Sequence, residues 1–185
     1  MKYFAGIALP ENLKDKLSAS AREFSKYRWE KKGNLHLTLY YFGTVEKEIY
    51  PELVRMLGQT VLPGFSLTLD RTGFFSHKKN NTILWAGPAE SQPLRDLQRV
   101  AEDAAVSLGW QREKRGFHPH VTLLKSVKNP PEDFENYRRQ AAVIFPLEWN
   151  VESFHLFSSE QGADGMDYRI VEEFRLPSVM KDRGL

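Results

Sequence analysis

The chain has 185 residues, of which 41% are hydrophobic, 12% aromatic and 27% charged. That is apolar mass enough for a core, so disorder is excluded for the chain as a whole, and a single domain over residues 1–185, built as one unit or as two closely packed lobes, is expected. Lys and Arg number 26 against 24 Asp and Glu, a net charge of +2, so affinity for a polyanion has to come from local clusters of charge; with no cysteine, disulfide scaffolds, thiolate metal sites and cysteine nucleophiles are excluded.

In chain order, residues 2–9 read as a buried strand, too short for the apolar stretch of a secretory leader. A helix is predicted from Pro10, because Leu13, Leu17, Ala21 and Phe24 recur at helical spacing. Residues 35–43 form a second predicted strand, and 49–61 a helix whose apolar stripe is Leu53, Val54, Leu57 and Val61. Strands are expected at 65–69 and 82–86, separated by a polar loop around residues 77–81 that would leave His77 solvated. Residues 93–108 make a strongly periodic helix that stops at Gly109. A strand at 120–126, a helix at 132–143 and strands at 147–157 and 167–176 complete the prediction, with a glycine-rich, mobile loop expected at 158–165. No run of about 18 apolar residues occurs, so no membrane helix is predicted, and a cytoplasmic monomer is the expectation.

The most informative feature is a repeat. His36-Leu37-Thr38-Leu39 returns 84 residues later as His120-Val121-Thr122-Leu123, each copy on a predicted strand and each in its own half of the chain. Side chains alternate across a strand, so His36 and Thr38 share one face and Leu37 and Leu39 the other, and the second copy divides the same way. On a single strand this pattern also describes a sheet with one wet side. Two copies related by a pseudo-twofold axis instead bring two imidazoles and two hydroxyls to one cleft. That set suits phosphodiester chemistry: one imidazole accepts a proton, the other donates one, and neutral hydroxyls stabilise the non-bridging oxygens. Pseudo-symmetric surroundings leave open which histidine is the base, and a bell-shaped pH profile with both limbs in the histidine range is expected.

Several blocks, MKYFAGIALP at the start, Trp29 followed by NLHLTLYYFG, ILWAG at 83–87, LGW and GFHPHVTLLK at 108–125 and VESFHLFSS near the end, resemble in order the RNA 2',3'-cyclic phosphodiesterases of the two-histidine phosphoesterase superfamily, also called 2'-5' RNA ligases. The resemblance implies an α+β fold of two pseudo-symmetric lobes, each an antiparallel sheet with helices on its outer face, around a central cleft. It also implies hydrolysis of 2',3'-cyclic phosphate ends of RNA or small nucleotides to 2'-phosphates, without metal or cofactor. Carried over by motif, His36 and His120 are catalytic and Thr38 and Thr122 bind the substrate phosphate. The chain departs from the family pattern at His118 and Lys125, where arginine is frequent. The alternatives are weak 2'-5' ligation in the same cleft and an RNA-end binding module.

Other residues carry weaker signals. His118 and His120 form an H-x-H pair that a divalent metal can use, but catalytic zinc takes three protein ligands and the stretch holds no Asp or Glu. Tyr3, Tyr40, Phe42 and Phe117 lie in or beside strands expected at the cleft, where a ring stacks on a base or packs in the core. Tyr40, Phe42, Phe117, His118 and Lys125 are therefore candidate substrate contacts. Lys31, Lys32, Lys78, Lys79, Lys114, Arg115 and Lys125 form small basic clusters for RNA backbone, or a solvated face. His155 is read as a satisfied sheet histidine.

Overall fold

A computed structural model describes residues 1–21, 27–77, 81–128, 132–163 and 165–178. The apolar run Lys2–Ala8 is β1, and Pro10, whose fixed φ suits a helix start, precedes α1 (Glu11–Ser20), which buries Leu13 and Leu17. Phe24, expected on the same stripe, lies outside the described residues. β2 (His36–Thr44) is followed by α2 (Tyr50–Gly58), which buries Leu53 and Leu57. The predicted stripe ran too far: the helix ends before Val61, which is 83% exposed.

β3 (Phe65–His77) and β4 (Asn81–Pro88) form one long hairpin, with His77 paired to Asn81. Residues 70–77, expected as loop, are strand, because pairing with β4 overrides the local preference of Asp70, Arg71 and Gly73. The side chain of His77 lies outside those described, as do Lys78 and Lys79. α3 (Gln92–Ser107) is capped by Ser91, whose hydroxyl accepts from the Leu94 N–H at 3.3 Å, and ends before Gly109, whose φ of 99° suits glycine alone. β5 (Val121–Lys128), α4 (Glu132–Ala141), β6 (Leu147–Val151), β7 (Ser153–Gly162) and β8 (Gly165–Arg175) follow. The predicted strand over 147–157 is thus two strands. The supposed loop at 158–165 is the end of a β7–β8 hairpin paired as far as Gly162 opposite Gly165.

Each pairing is antiparallel, and the strands form one sheet in the order β6-β3-β4-β5-β2-β1-β7-β8. Its two four-stranded halves join where Leu37 of β2 meets Val121 of β5. Both halves contain a strand, a helix and a returning His-x-Thr strand, β1-α1-β2 and β4-α3-β5. The third strand of each half is exchanged: β3 follows β2 and α2 but pairs with β4, whereas β7 follows β5 and α4 but pairs with β1. No helix among the described residues is long and apolar enough to cross a membrane.

Candidate active site

The junction of β2 and β5 sets the two His-x-Thr copies on neighbouring central strands, and the repeat extends further than the sequence pattern. Opposite Thr38 and Tyr40, β1 offers the consecutive residues Gly6 and Ala5; opposite Thr122 and Leu124, β4 offers Trp85 and Leu84. Each His-x-Thr strand therefore carries a bulge at the same place, over Leu39 and over Leu123, and the burial of residues 36–41 matches that of 120–125 position by position. A bulge reverses the alternation beyond it. Tyr40 and Phe42 accordingly turn toward the core, while Tyr41 and Lys125 are exposed. Phe42, 4% exposed and packed on Trp110, is not available to stack on a base, which corrects its place among the candidate substrate contacts and leaves the core-packing alternative. Tyr40 is buried too and spends its hydroxyl on the carbonyl of Gln111 at 2.9 Å. Tyr3 packs against the core beside Tyr50.

Both imidazoles are held by the same device. Nδ1 of His36 lies 2.6 Å from the carbonyl of Asn34, and Nδ1 of His120 lies 2.7 Å from that of His118. A carbonyl only accepts, so each Nδ1 carries the proton and each Nε2 is the acceptor when the ring is neutral. Nε2 of His36 in turn takes the Thr38 hydroxyl at 3.1 Å. Surroundings then diverge. His36 sits against the rings of Phe4, Phe157 and Tyr168, with centroids 4.6, 5.4 and 5.0 Å away, and burial pushes it down to about 4 against the pull of the Asn34 carbonyl; Lys125 and His120 lower it further and Glu30 raises it. His120 meets Phe75 edge-on at 5.0 Å and is also lowered, by burial first and then by the charges of His118 and Lys125.

A polar network that sequence reasoning missed supports His36. The buried Asn34 amide donates to Glu30 at 2.8 Å and to the Met166 carbonyl at 2.7 Å, and its oxygen accepts from the Tyr168 N–H at 3.3 Å. Glu30 also pairs with Lys125 at 2.9 Å, and Lys125 donates to the Tyr168 hydroxyl at 3.2 Å. Burial is the largest single influence on the Lys125 ammonium and would depress it, but the hydrogen bond and charge of Glu30, together with Tyr168, outweigh it and the pKa rises. Glu30 is brought there by its N–H, which donates to the Leu123 carbonyl at 2.8 Å and docks its segment on β5.

One cleft of about 1050 Å³ brings together Thr38, Tyr40, Phe117, His118 and His120 of the predicted set, bounded by β2, the β3–β4 hairpin, α3 and the loop after Trp110. His36, Thr122 and Lys125 do not line it, although Lys125 bears on the charge of both histidines. Of the basic clusters, Lys31 pairs with Asp167 and Lys32 with Glu11 and Asp15, whereas Arg115 lines the cleft. Among the described residues no three His, Asp or Glu side chains are grouped to hold a metal ion, and Nδ1 of His120 in the H-x-H pair is taken by a carbonyl. His155 is buried with Nδ1 unpartnered among the described residues, so it is a buried rather than a satisfied histidine; desolvation keeps it neutral.

The model of the 2'-5' RNA ligase superfamily matches residues 10–163. The chain belongs to that superfamily. Among curated superfamily relatives, an RNA 2',3'-cyclic phosphodiesterase of Thermotoga maritima is 27% identical over 180 residues, 94% of either chain, and one of Escherichia coli is 37% identical over 108 residues, 55% of this chain and 58% of the other. Of solved structures, Escherichia coli LigT complexed with 3'-AMP superposes with a TM-score of 0.79 at 25% identity, covering 95% of this chain and 97% of LigT. TT0787 of Thermus thermophilus superposes at 0.75 with 26% identity, covering 96% and 99%. The α+β architecture expected from the resemblance is thus the superfamily's fold.

Proposed function

We propose that the chain, acting as one folded domain, hydrolyses 2',3'-cyclic phosphates at RNA ends or on small nucleotides to 2'-phosphates, with His36 as general base and His120 as general acid. Nε2 of His36 takes a proton from water as its oxygen attacks phosphorus; the bond from phosphorus to O3' breaks, and Nε2 of His120 protonates the departing O3'. When substrate is bound the Thr38 hydroxyl gives up Nε2 of His36, and it and the Thr122 hydroxyl donate to the non-bridging oxygens as charge builds there, a role that needs no metal. The observation that carries the reading is the duplicated lock: both imidazoles are tied through Nδ1 to the carbonyl two residues earlier, so each presents Nε2 for proton transfer, that of His36 to the Thr38 hydroxyl in the free chain. The dry, aromatic surroundings that keep His36 uncharged near neutrality support it as the base. Relatives named as RNA 2',3'-cyclic phosphodiesterases support the substrate. The cytoplasmic, monomeric setting expected from the sequence belongs to the same proposal.

Incubation with 2',3'-cyclic nucleotides in EDTA tests it. The expected product is the 2'-phosphate alone, and His36→Ala and His120→Ala each remove nearly all activity while the double variant is scarcely worse than either. A 3'-phosphate product, loss of activity on chelation, or a folded single variant that keeps substantial activity overturns the assignment.

A further inference from the structure

Among the described residues, large hydrophobic side chains stay exposed at eight positions, and two of those are aromatic: Tyr41, 55% exposed, and Phe74, 39%. Both line the cleft that holds Thr38 and His120. An aromatic ring left in solvent at a cleft wall forgoes core burial, and flat exposed rings suit nucleobases of any identity, since every base has a π-face. Tyr41 owes its exposure to the bulge over Leu39, which turns it out of the core where unbroken alternation would have buried it with Leu37 and Leu39.

The opposite wall is the loop after Trp110, and it is built in advance. The Trp110 indole N–H donates to the Phe42 carbonyl at 2.7 Å, the Gln111 carbonyl accepts from Tyr40 at 2.9 Å, and the buried Glu102 accepts from the Glu113 N–H at 2.8 Å and from Arg112 at 2.9 Å. Arg112, which also donates to Asp103, is neutralised by this anchoring. The Arg115 guanidinium is not: Arg115 lines the cleft, its backbone N–H donates to the Glu113 carboxylate at 3.1 Å, and its side chain has no ion pair among the described residues. At about 1050 Å³ the cleft stands at the upper end of the roughly 300–1000 Å³ usual for small-ligand sites, with room for more than the reacting end.

We propose that this cleft binds the body of a single-stranded RNA 5' to its cyclic end, with bases stacked on Tyr41 and Phe74 of one wall and a phosphodiester met by Arg115 of the other, which makes oligoribonucleotide ends, rather than free cyclic nucleotides, the preferred substrate. The proposal rests on the hydrolytic reading for its activity assay but not for its binding assay. A loop tied to α3 and β2 loses little freedom on binding, so its contacts convert efficiently into affinity.

The experiment compares kcat/KM for a mononucleoside 2',3'-cyclic phosphate with that for a hexaribonucleotide bearing the same end. Fluorescence anisotropy of a labelled hexaribonucleotide ending in a 2'-phosphate, competed by a mononucleoside 2'-phosphate, is measured in parallel. Wild type is expected to favour the hexamer in both. Tyr41→Ala and Phe74→Ala should each lower the hexamer's kcat/KM by about 5- to 100-fold, the span of a base-stacking contact, with the mononucleotide unchanged. Arg115→Gln should do likewise and reduce the salt slope of hexamer binding by about 0.7. No preference for the hexamer, or equal losses on both substrates, overturns the proposal. Preferential hexamer binding without hydrolysis of either substrate would sink the hydrolytic reading and leave this one standing.

Discussion

His36 and His120 carry the same side chain and the same Nδ1 hydrogen bond, yet their carbonyl partners are not equally fixed. Asn34 is clamped through its amide by Glu30, Met166 and Tyr168, whereas His118, 84 residues on, is exposed. Asn34→Ala should leave the half-buried Glu30 carboxylate, and the Met166 carbonyl, short of a donor and cost about 1–3 kcal/mol, seen in a urea melt. It should lower kcat more than it raises KM, since it frees the carbonyl that aims His36. The titration of His36 has a definite sign. Its folded pKa, about 4, lies below the ordinary 6.5, so between those values the unfolded chain binds a proton that the folded chain refuses. Stability therefore falls as pH drops from about 6.5 to about 4, and His120 and His155, also depressed, act in the same direction. His36→Gln should flatten, without abolishing, the dependence of Tm on pH in that window. The acid limb of kcat/KM should likewise lie well below 6.5, not in the histidine range expected from two motifs in pseudo-symmetric surroundings.

The paired bulges decide which side chains reach the cleft beyond the threonines. At the first, β1 approaches β2 closely: a Cβ on Gly6 would lie 2.8 Å from the Leu37 carbonyl and 3.3 Å from the Phe157 ring. Gly6→Ala should therefore push β2 outward and lower stability by about 1–3 kcal/mol in a denaturant titration, the usual cost of overpacking. Because Thr38 pairs with Gly6, kcat should fall as well at temperatures where the variant is still folded. Much of this region was legible in the sequence. Alternation correctly put His36 with Thr38 and His120 with Thr122, apart from the leucines. It does not extend to Tyr40, Tyr41 and Phe42, because alternation assumes unbroken pairing, and a bulge is a property of two strands together. It also failed over residues 70–77, where a charged and glycine-containing segment looks like a loop until its partner strand is known. There Trp85 covers Gly73 so closely that a Cβ on that glycine would clash with the indole ring.

Exchange of β3 and β7 ties the halves together: each His-x-Thr hairpin is completed by a strand that follows the other's motif. A fragment of residues 1–145 keeps both motifs but lacks β6, β7 and β8, so β1 loses a neighbour and the aromatic wall of Phe157 and Tyr168 behind His36 is gone. That fragment should show no cooperative thermal transition by circular dichroism, and adding residues 146–185 as a separate peptide should be needed for any return of activity. A cooperatively folded fragment would show that the halves are independent. Helical spacing and strand alternation are local properties of the chain, so the order of elements, the duplication and the paired His-x-Thr motifs could be read from the residues alone. Which strands lie side by side is not local, because pairing is chosen by contacts between segments far apart in the chain. Only the folded chain therefore decides the bulges, the exchanged strands, the Glu30–Lys125 pair and the different aromatic and charged neighbours that separate one histidine from the other.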